Sequence, residues 1–336
     1  MTFWQDQLML LLNAEETASL IDRDALRAIV GEAMVEVSAG RVSMPPRIAA
    51  MADNPAGFMA VMPAHVPALG AMATKLVTVY GGNDSLGLPS HQGAVIVVDP
   101  TTGSLLAMLD GDVITAERTA AGSALSTELL ARADADVLVI VGTGVQALSH
   151  ALHVSRVRRF SEVRIAGRTP AKVEALAAEL QERLDVPVVA ADGVESACDD
   201  AAVVCLTTDA AEPVLDRTWL APGTHVTAVG FSAKGRELDT ATVADALLVV
   251  EERGSAFAAY PVGSNDLGLP LAEGAIGADH VYAELGELVA GTRPARTDDQ
   301  QLTLYKSSGV AAQDVAAAKL VYDAAVAANV GQHFSR

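Results

Sequence analysis

Between residues 13 and 38, apolar side chains recur at helical spacing, with Leu20, Ile21, Leu26, Ile29 and Val30 among them. That spacing predicts a helix, and Asn13 ahead of Glu15 and Glu16 can cap it. The stretch from Gly40 to Pro46 breaks the pattern. From Arg47 to Val98 the rhythm shortens to apolar runs at 58–62, 73–79 and 94–98, separated by Pro and Gly, which predict strands. Pro100-Thr101-Thr102-Gly103 predicts a hairpin turn into a further strand over 104–109. This first part reads as an antiparallel sheet carrying a helix, not as a βαβ unit.

A helix is predicted from Thr115 to about Ala133, leading into an alternating series. Strands are expected at 137, 163, 186, 202, 225 and 247, with helices at 145, 170, near 193 and near 239. Such alternation predicts a Rossmann-type α/β fold, a doubly wound parallel sheet with helices on both faces. A helix over 278–290 ending at Gly291, a strand over 301–305 and an Ala-rich helix over 311–328 complete the chain. The last helix is expected to return to the first domain. The first domain, a smaller α+β body, would then be discontinuous: residues 1–120 with 309–336, around an inserted dinucleotide domain at 121–308.

Composition narrows the function. The chain has 336 residues, 51% hydrophobic but only 4% aromatic, so its cores must be built mainly of Ala, Val and Leu. A formal charge of −19 argues against nucleic acid or an anionic membrane as partner, because phosphate neutralisation needs an excess of Lys and Arg. Cys198 and Cys205 have no Cys or His near them at ligand spacing, which argues against a zinc site or a disulfide framework. No basic residues precede the apolar run at 8–12, and Val137–Ser155 is interrupted by glycines, Gln, Ser and two His. Neither a secretory signal nor a membrane span is expected, and a cytoplasmic protein is.

The most informative stretch is Asp136-Val137-Leu138-Val139-Ile140-Val141-Gly142-Thr143-Gly144-Val145-Gln146-Ala147. It places the G-x-G-x-x-G/A pattern at a strand-to-helix turn. Gly142 permits a tight turn, Gly144 lets the backbone approach a pyrophosphate, and Ala147 lets helix and strand pack closely. Phosphates would rest on the free amide N–H groups of Thr143, Val145 and Gln146 at the helix start. At the end of the second strand an NAD-binding fold carries an acid for the ribose hydroxyls. Here that end reads Ile165-Ala166-Gly167-Arg168-Thr169, with no acid. Arg168 could pair with a 2′-phosphate and Thr169 add a hydroxyl, so the expected cofactor is NADP(H) rather than NAD(H). Thr207 and Thr208, ending the strand at 202, are expected beside the nicotinamide ribose.

Outside the dinucleotide domain, Arg47, Lys75 and Arg118 stand in small-residue, turn-rich surroundings suited to holding a carboxylate. Each alone reads more readily as a solvated charge, and composition and spacing cannot bring them together. The order of longer strings says more: Met62-Pro63, Thr74-Lys75-Leu76-Val77-Thr78, Pro89-Ser90-His91-Gln92, and Asp110-Gly111-Asp112-Val113-Ile114-Thr115-Ala116-Glu117-Arg118-Thr119-Ala120-Ala121. The glycine turn follows, then Arg236-Glu237-Leu238-Asp239, Leu285-Gly286-Glu287-Leu288, and Tyr305-Lys306-Ser307-Ser308-Gly309. In this the chain resembles the ornithine cyclodeaminase/mu-crystallin family over nearly its whole length, with wording nearest the mu-crystallin, ketimine reductase-like branch.

The resemblance implies a homodimer formed through the first domain and an active site between domains. It implies that Arg47, Lys75 and Arg118 hold a substrate carboxylate, that Lys75 donates a proton or stabilises charge, and that Thr119 helps bind the cofactor phosphates. Cyclodeaminases of the family carry an acid where this chain has Ser232. A hydroxyl can neither pair with an ammonium as a carboxylate does nor act as a base near neutral pH. The expected activity is therefore NADPH-dependent reduction of a carboxylate-bearing imine, such as pyrroline- or piperideine-2-carboxylate. Ornithine cyclodeaminase and a non-catalytic small-carboxylate binder are the alternatives. His91 either lines the site or supports the sheet. His150 and His153 read as helix packing rather than metal ligands, and Lys306 and Asp314 as structural or functional alike.

Overall fold

The computed structural model describes residues 8–53 and 56–335. The chain divides into two compact units, one comprising residues up to Arg118 with those from Val310 onward, the other Thr119–Gly309. In chain order the first unit holds β1 (Leu8–Leu12), α1 (Ala14–Ser19), α2 (Arg23–Ser38), β2 (Ile48–Asp53), β3 (Ala56–Val66), β4 (Ala71–Val79), β5 (His91–Val98) and β6 (Leu105–Asp110). The boundary falls within α3 (Gly111–Leu130). The second unit continues with β7 (Val137–Val141), α4 (Val145–Val154), β8 (Glu162–Ala166), α5 (Pro170–Gln181), β9 (Val188–Ala190), α6 (Val194–Ala197) and β10 (Val203–Leu206). It ends with β11 (His225–Ala228), α7 (Thr240–Asp245), β12 (Leu247–Val250), α8 (Arg253–Ala256), α9 (Asn265–Ala272), β13 (Val281–Glu284), α10 (Leu285–Val289) and β14 (Thr303–Lys306). The chain then returns to the first unit through α11 (Ala311–Ala328) and β15 (Gln332–Ser335).

Local chemistry corrects the expectations in three places. The helix over 13–38 is two helices: Asn13 closes a capping box with Glu16, and Asp22 starts α2 afresh by accepting from the Asp24 and Ala25 amides. An Asp carboxylate offers backbone donors a partner outside the helix, so it restarts the helix rather than continuing it. The helix over 278–290 is instead β13 followed by α10. Val281 and Ala283 pair with the open edge of β12, and Glu284 with Glu287 forms the box that starts α10. Sheet pairing outweighs helical spacing there. In α3 the helix starts four residues early, because Asp110 accepts from the Asp112 and Val113 amides. A Cβ on Gly111 would lie 2.5 Å from the Gly93 carbonyl carbon, so only glycine fits that start.

The first unit is built on a seven-stranded sheet in the order β15-β1-β6-β5-β4-β3-β2, antiparallel except where β1 joins β6. Strand alternation gives it two unlike faces. Ala60, Met62, Ala73, Lys75, Val95, Val97 and Leu109 are buried on one, and α11 packs against β3, β4 and β5 as well as α2. Alanines at 311, 312 and 316–318, all buried, let α11 lie close to the strands. The opposite face carries exposed Met59, Met72 and Met108, and the paired row Pro63, Thr74, Ile96, Met108 and Leu11 crosses it.

The second unit has an eight-stranded, wholly parallel sheet in the order β13-β12-β14-β11-β10-β7-β8-β9. Both faces are buried, in clusters around Val139, Val204 and Leu304 on one side and Leu138, Ile140 and Ile165 on the other. Strand order reverses between β7 and β10, and open α/β sheets take ligands at such a point, beyond the carboxyl ends of the strands. Among the described residues no helix is long and apolar enough to cross a membrane.

Candidate active site in two parts

In the second unit, β7 is buried along its length and stops at Gly142, whose φ of 132° L side chains rarely adopt. A Cβ there would stand 2.4 Å from Thr207 Oγ1. Thr207 follows β10, and its amide and hydroxyl both donate to the Val141 carbonyl, at 2.9 and 2.8 Å. The glycine turn and Thr207 therefore lie side by side at the point where strand order reverses. Gly144 precedes α4 with no side-chain cap, a Cβ on it would meet nothing within 4 Å, and Val145 behind it is 68% exposed. The start of α4 thus has no side-chain cap among the described residues, and an uncapped helix start leaves amide donors that can hold a pyrophosphate. Ala147 is fully buried with Leu138 and Ile140, as close helix–strand packing requires.

Thr143 extends its methyl toward Gly167, where a Cβ would approach it to 3.2 Å. Arg168 and Thr169 follow exposed, and Arg168 forms no ion pair among the described residues. Thr169 starts α5 without a side-chain cap bond. Thr119 is buried in α3. His150 is committed to packing: one ring nitrogen meets the Gln146 carbonyl at 2.7 Å and the other Ser123 Oγ at 2.9 Å. Cys198 and Cys205 are free and buried, and burial pushes their thiols up to about 11 and about 12, which leaves them inert.

In the first unit, β4 brings Lys75 to the buried face, where it is 3% exposed, and α3 brings Arg118, 4% exposed. Both meet one oxygen of Asp314 in the first turn of α11, Lys75 Nζ at 2.9 Å and Arg118 Nε at 3.0 Å. Arg118 also donates to Gln313 Oε1 at 3.1 Å, and Lys75 to Thr115 Oγ1 at 3.3 Å. Asp314 Oδ2 has no hydrogen-bond partner among the described residues. Burial holds Lys75 down at about 8, with Asp314 pulling it up and the charges of Arg118 and Arg47 pressing it further down. Burial works to raise Asp314, but Arg118 and Lys75 overcome it and keep the carboxyl below its usual range. Two buried cations thus share a single carboxylate, with Arg47 half-buried nearby, and the cluster keeps a surplus of positive charge in low dielectric.

The structure therefore joins Lys75 and Arg118 and sets Arg47 within electrostatic reach. His91 it does not join. It begins β5 on the same face of the sheet as Lys75, but four residues along the strand, roughly 13 Å. Its Nδ1 lies 3.1 Å from Ser90 Oγ and its side chain is exposed. Asp314 is a central group that the sequence left undecided; an acid in the apolar run Val310 to Ala318 was the available signal.

Ser232 is buried in the loop after β11, its Oγ accepting from the Lys234 amide at 3.3 Å and its carbonyl from Asn265 at 3.0 Å. Nearby, Glu237 accepts from the Thr208 amide and hydroxyl, at 3.0 and 2.9 Å, and from the Gly230 amide at 2.5 Å. Among the described residues, no group of three or more His, Cys, Asp or Glu is placed to hold a metal ion.

Comparison with known proteins finds one family profile and solved structures of the same overall fold. The profile of the ornithine cyclodeaminase/mu-crystallin family matches residues 6–329. Mouse ketimine reductase mu-crystallin is 43% identical over 285 residues, 84% of this chain and 86% of the mouse protein. The structure of Thermococcus litoralis Δ1-pyrroline-2-carboxylate reductase, in complex with NADH and L-proline, superposes with a TM-score of 0.92 at 33% identity, covering 96% of this chain and 99% of that one. An archaeal alanine dehydrogenase dimer with bound NAD gives a TM-score of 0.90 at 30% identity, covering 98% and 99%.

Proposed function

The chain belongs to the ornithine cyclodeaminase/mu-crystallin family, and from that premise we propose that it is a nicotinamide-dependent reductase of carboxylate-bearing imines. The observation that carries this is the Lys75–Arg118 pair sharing one oxygen of Asp314. Two buried cations with one carboxylate between them leave a charge that a second carboxylate, that of a 2-imino acid, would satisfy. The solved relative with L-proline supports a product of that class, an amino acid with its nitrogen in a ring.

Each part has a defined task. The Arg118 guanidinium and Lys75 ammonium fix the carboxylate, and so set the imine carbon at one position. Lys75, held near 8, is cationic at neutral pH and close enough to its own pKa to give up a proton as the imine nitrogen becomes an amine. The turn from Gly142 to Gln146, Thr207 and the buried Thr119 would hold a dinucleotide, which when bound supplies the hydride. We assign Thr208 and Ser232, on the loops after β10 and β11, to the nicotinamide and substrate side of the dinucleotide unit. A neutral Ser232 suits an imine and disfavours cyclodeamination, which needs a carboxylate for the second amine.

For the cofactor we favour NADP(H): no acid ends β8, and Arg168 stands exposed with no ion pair among the described residues, with Thr169 beside it. Both solved relatives hold the unphosphorylated dinucleotide, so affinity for NADPH against NADH is the deciding measurement. The apolar outer face of the first unit's sheet, with Met59, Met72, Ile96 and Met108, suits a second copy, and the archaeal relative is a dimer.

The test is a panel of cyclic and acyclic 2-imino acids followed by NADPH and NADH absorbance. Lys75→Ala and Arg118→Ala should abolish turnover while leaving dinucleotide affinity within about twofold, since neither cation belongs to the dinucleotide fold. Undiminished activity would remove them from the site. Ammonia release from ornithine without added reductant would favour the lyase, and tight carboxylate binding with no turnover would favour a binder.

A further inference from the structure

Beyond the carboxylate cluster, the second unit buries another set of charges at the carboxyl end of its sheet. Lys306, the last residue of β14, is 1% exposed; it donates to the Gly230 carbonyl at 2.7 Å and pairs with Asp266 at 2.9 Å. Asp266, from the first turn of α9, accepts from the Glu237 and Leu238 amides at 2.8 and 3.0 Å. Glu237 divides its carboxylate between two loops, one oxygen on the amide and hydroxyl of Thr208, the other on the amide of Gly230. The fit is close: a Cβ on Gly230 would come within 2.4 Å of the Glu237 carboxyl carbon and 2.6 Å of the Thr208 carbonyl oxygen. The two loops so joined follow adjacent parallel strands, β10 and β11.

We propose that Glu237 is a positioning residue that clamps the Thr207–Thr208 loop to the Gly230–Ser232 loop, so that the groups facing cofactor and substrate are presented in one fixed register. The inference rests on the reading of those loops as the reacting edge. Glu237 itself touches neither ligand: it is 2% exposed and its three donors are all internal. A buried ion set of this cost is weak support for stability alone, and fixing a geometry is the use such groups are best attested in. Burial raises the Glu237 carboxyl to about 7, with Lys306 lowering it, Asp266 raising it, and the Thr208 and Gly230 amides lowering it. Protonation would turn one accepting oxygen into a donor facing another donor, and the clamp would loosen as pH falls through that value.

The test uses the full chain with Glu237→Gln. Amide exchange of the Thr208 and Gly230 segments should rise together by about tenfold or more, the equivalent of one hydrogen bond lost. With an imine that the wild type reduces, kcat should fall about 10- to 100-fold while the dinucleotide Kd stays within about threefold, as a misplacement rather than a binding defect. The wild-type kcat should show an ionisation near 7 that the variant lacks. Unchanged exchange, or loosening of one loop only, overturns the clamp whatever the activity; unchanged kcat with both loops loosened overturns the positioning role. If the wild type reduces no imine, the functional reading fails, and the exchange result still decides on Glu237. Should the Gln variant not fold, Glu237→Asp, which keeps the charge but shortens the reach, is expected to loosen both loops in the same direction, and an unaltered exchange pattern there counts equally against the proposal.

Discussion

Asp314→Asn is the most searching perturbation of the carboxylate site, because it removes a charge and almost no volume. In the wild type one Asp314 oxygen serves Lys75 at 2.9 Å and Arg118 at 3.0 Å, all three side chains being buried. Burial depresses Lys75 to about 8, and Asp314 is the influence holding it up against Arg118 and Arg47. The amide oxygen of Asn can still accept, so what is lost is the difference between a charge-assisted and a neutral hydrogen bond, about 1–2 kcal/mol. At 1.36 kcal/mol per unit this moves Lys75 down by roughly one unit, to about 7. Near pH 8 the protonated fraction then drops from about a half to about a tenth, a fivefold loss, whereas near pH 6 both proteins keep Lys75 charged. The assay is kcat/KM against pH from 5.5 to 9. The basic limb should move to lower pH in the variant, with the ratio of variant to wild type worsening as pH rises. A limb that stays within about 0.3 units of the wild type, or a loss equal at every pH, would refute the idea that Asp314 sets the charge on Lys75. Stability supplies a second sign. The Asp314 carboxyl is held below its unfolded value, so its contribution is complete above that value and is lost only as acid titrates it in the fold. The Asn variant should lack that component of acid unfolding.

Three further outcomes follow from the geometry. Arg168→Ala should lower the preference for NADPH over NADH by about tenfold, a modest factor because the guanidinium is exposed, and leave NADH kinetics nearly unchanged; an equal loss with both cofactors would mean that Arg168 does not read the 2′-phosphate. Ser232→Asp should not improve imine reduction, since a carboxylate placed in that buried position adds a charge the substrate does not need; a gain in kcat/KM would show its role to be misread. Ile96→Glu, at the centre of the outer sheet face, should convert a dimer to monomers in sedimentation without lowering the melting temperature by more than a few degrees; a persistent dimer, or a monomeric wild type, would exclude that face as the interface.

Much of the fold was legible because its strongest elements announce themselves. The run from Val137 to Val141 is apolar throughout, buried on both faces, and ends in glycines that only a tight turn requires. The helix over 311–328 is Ala-rich with Val315, Lys319, Tyr322 and Val326 along it, a composition that few other structures suit. What escaped was decided by pairing rather than pattern. β13 has four residues, too few for a period to show, and exists because β12 offers it an edge. β1 is likewise an apolar pentapeptide whose partners, β6 and β15, lie about 100 and about 320 residues away, beyond any window in which periodicity is read. The split at Asp22 was readable in principle, since an Asp between two helical stretches is a cap, but a continuous apolar stripe across it concealed the break.

The candidate site divides along the same line. The glycine turn is mostly local: its pattern lies within residues 137–147, and the distant contributors Thr207, Ala166 and Gly167 only buttress it. The carboxylate cluster is the opposite case. Lys75 and Asp314 are 239 residues apart, and Arg118 and Asp314 are 196, so no spacing rule could join them. Lys75 stands in an alternating strand whose other buried residues are Ala71 and Ala73. An ammonium on that face is tolerable only if something meets it, which makes the buried lysine itself a prediction of a buried acid. The same logic applied to Asp314, a carboxylate among the alanines of α11, predicts a buried cation. Neither statement names the partner, but together they would have singled out these two residues, each an isolated charge in an otherwise apolar and inward-facing register. The rule extends to Lys306, which follows Leu304 and Tyr305 at the end of a fully buried strand, and whose acid is Asp266. Charges that break a buried pattern are therefore where to look first for what distant parts of this chain are brought together to do.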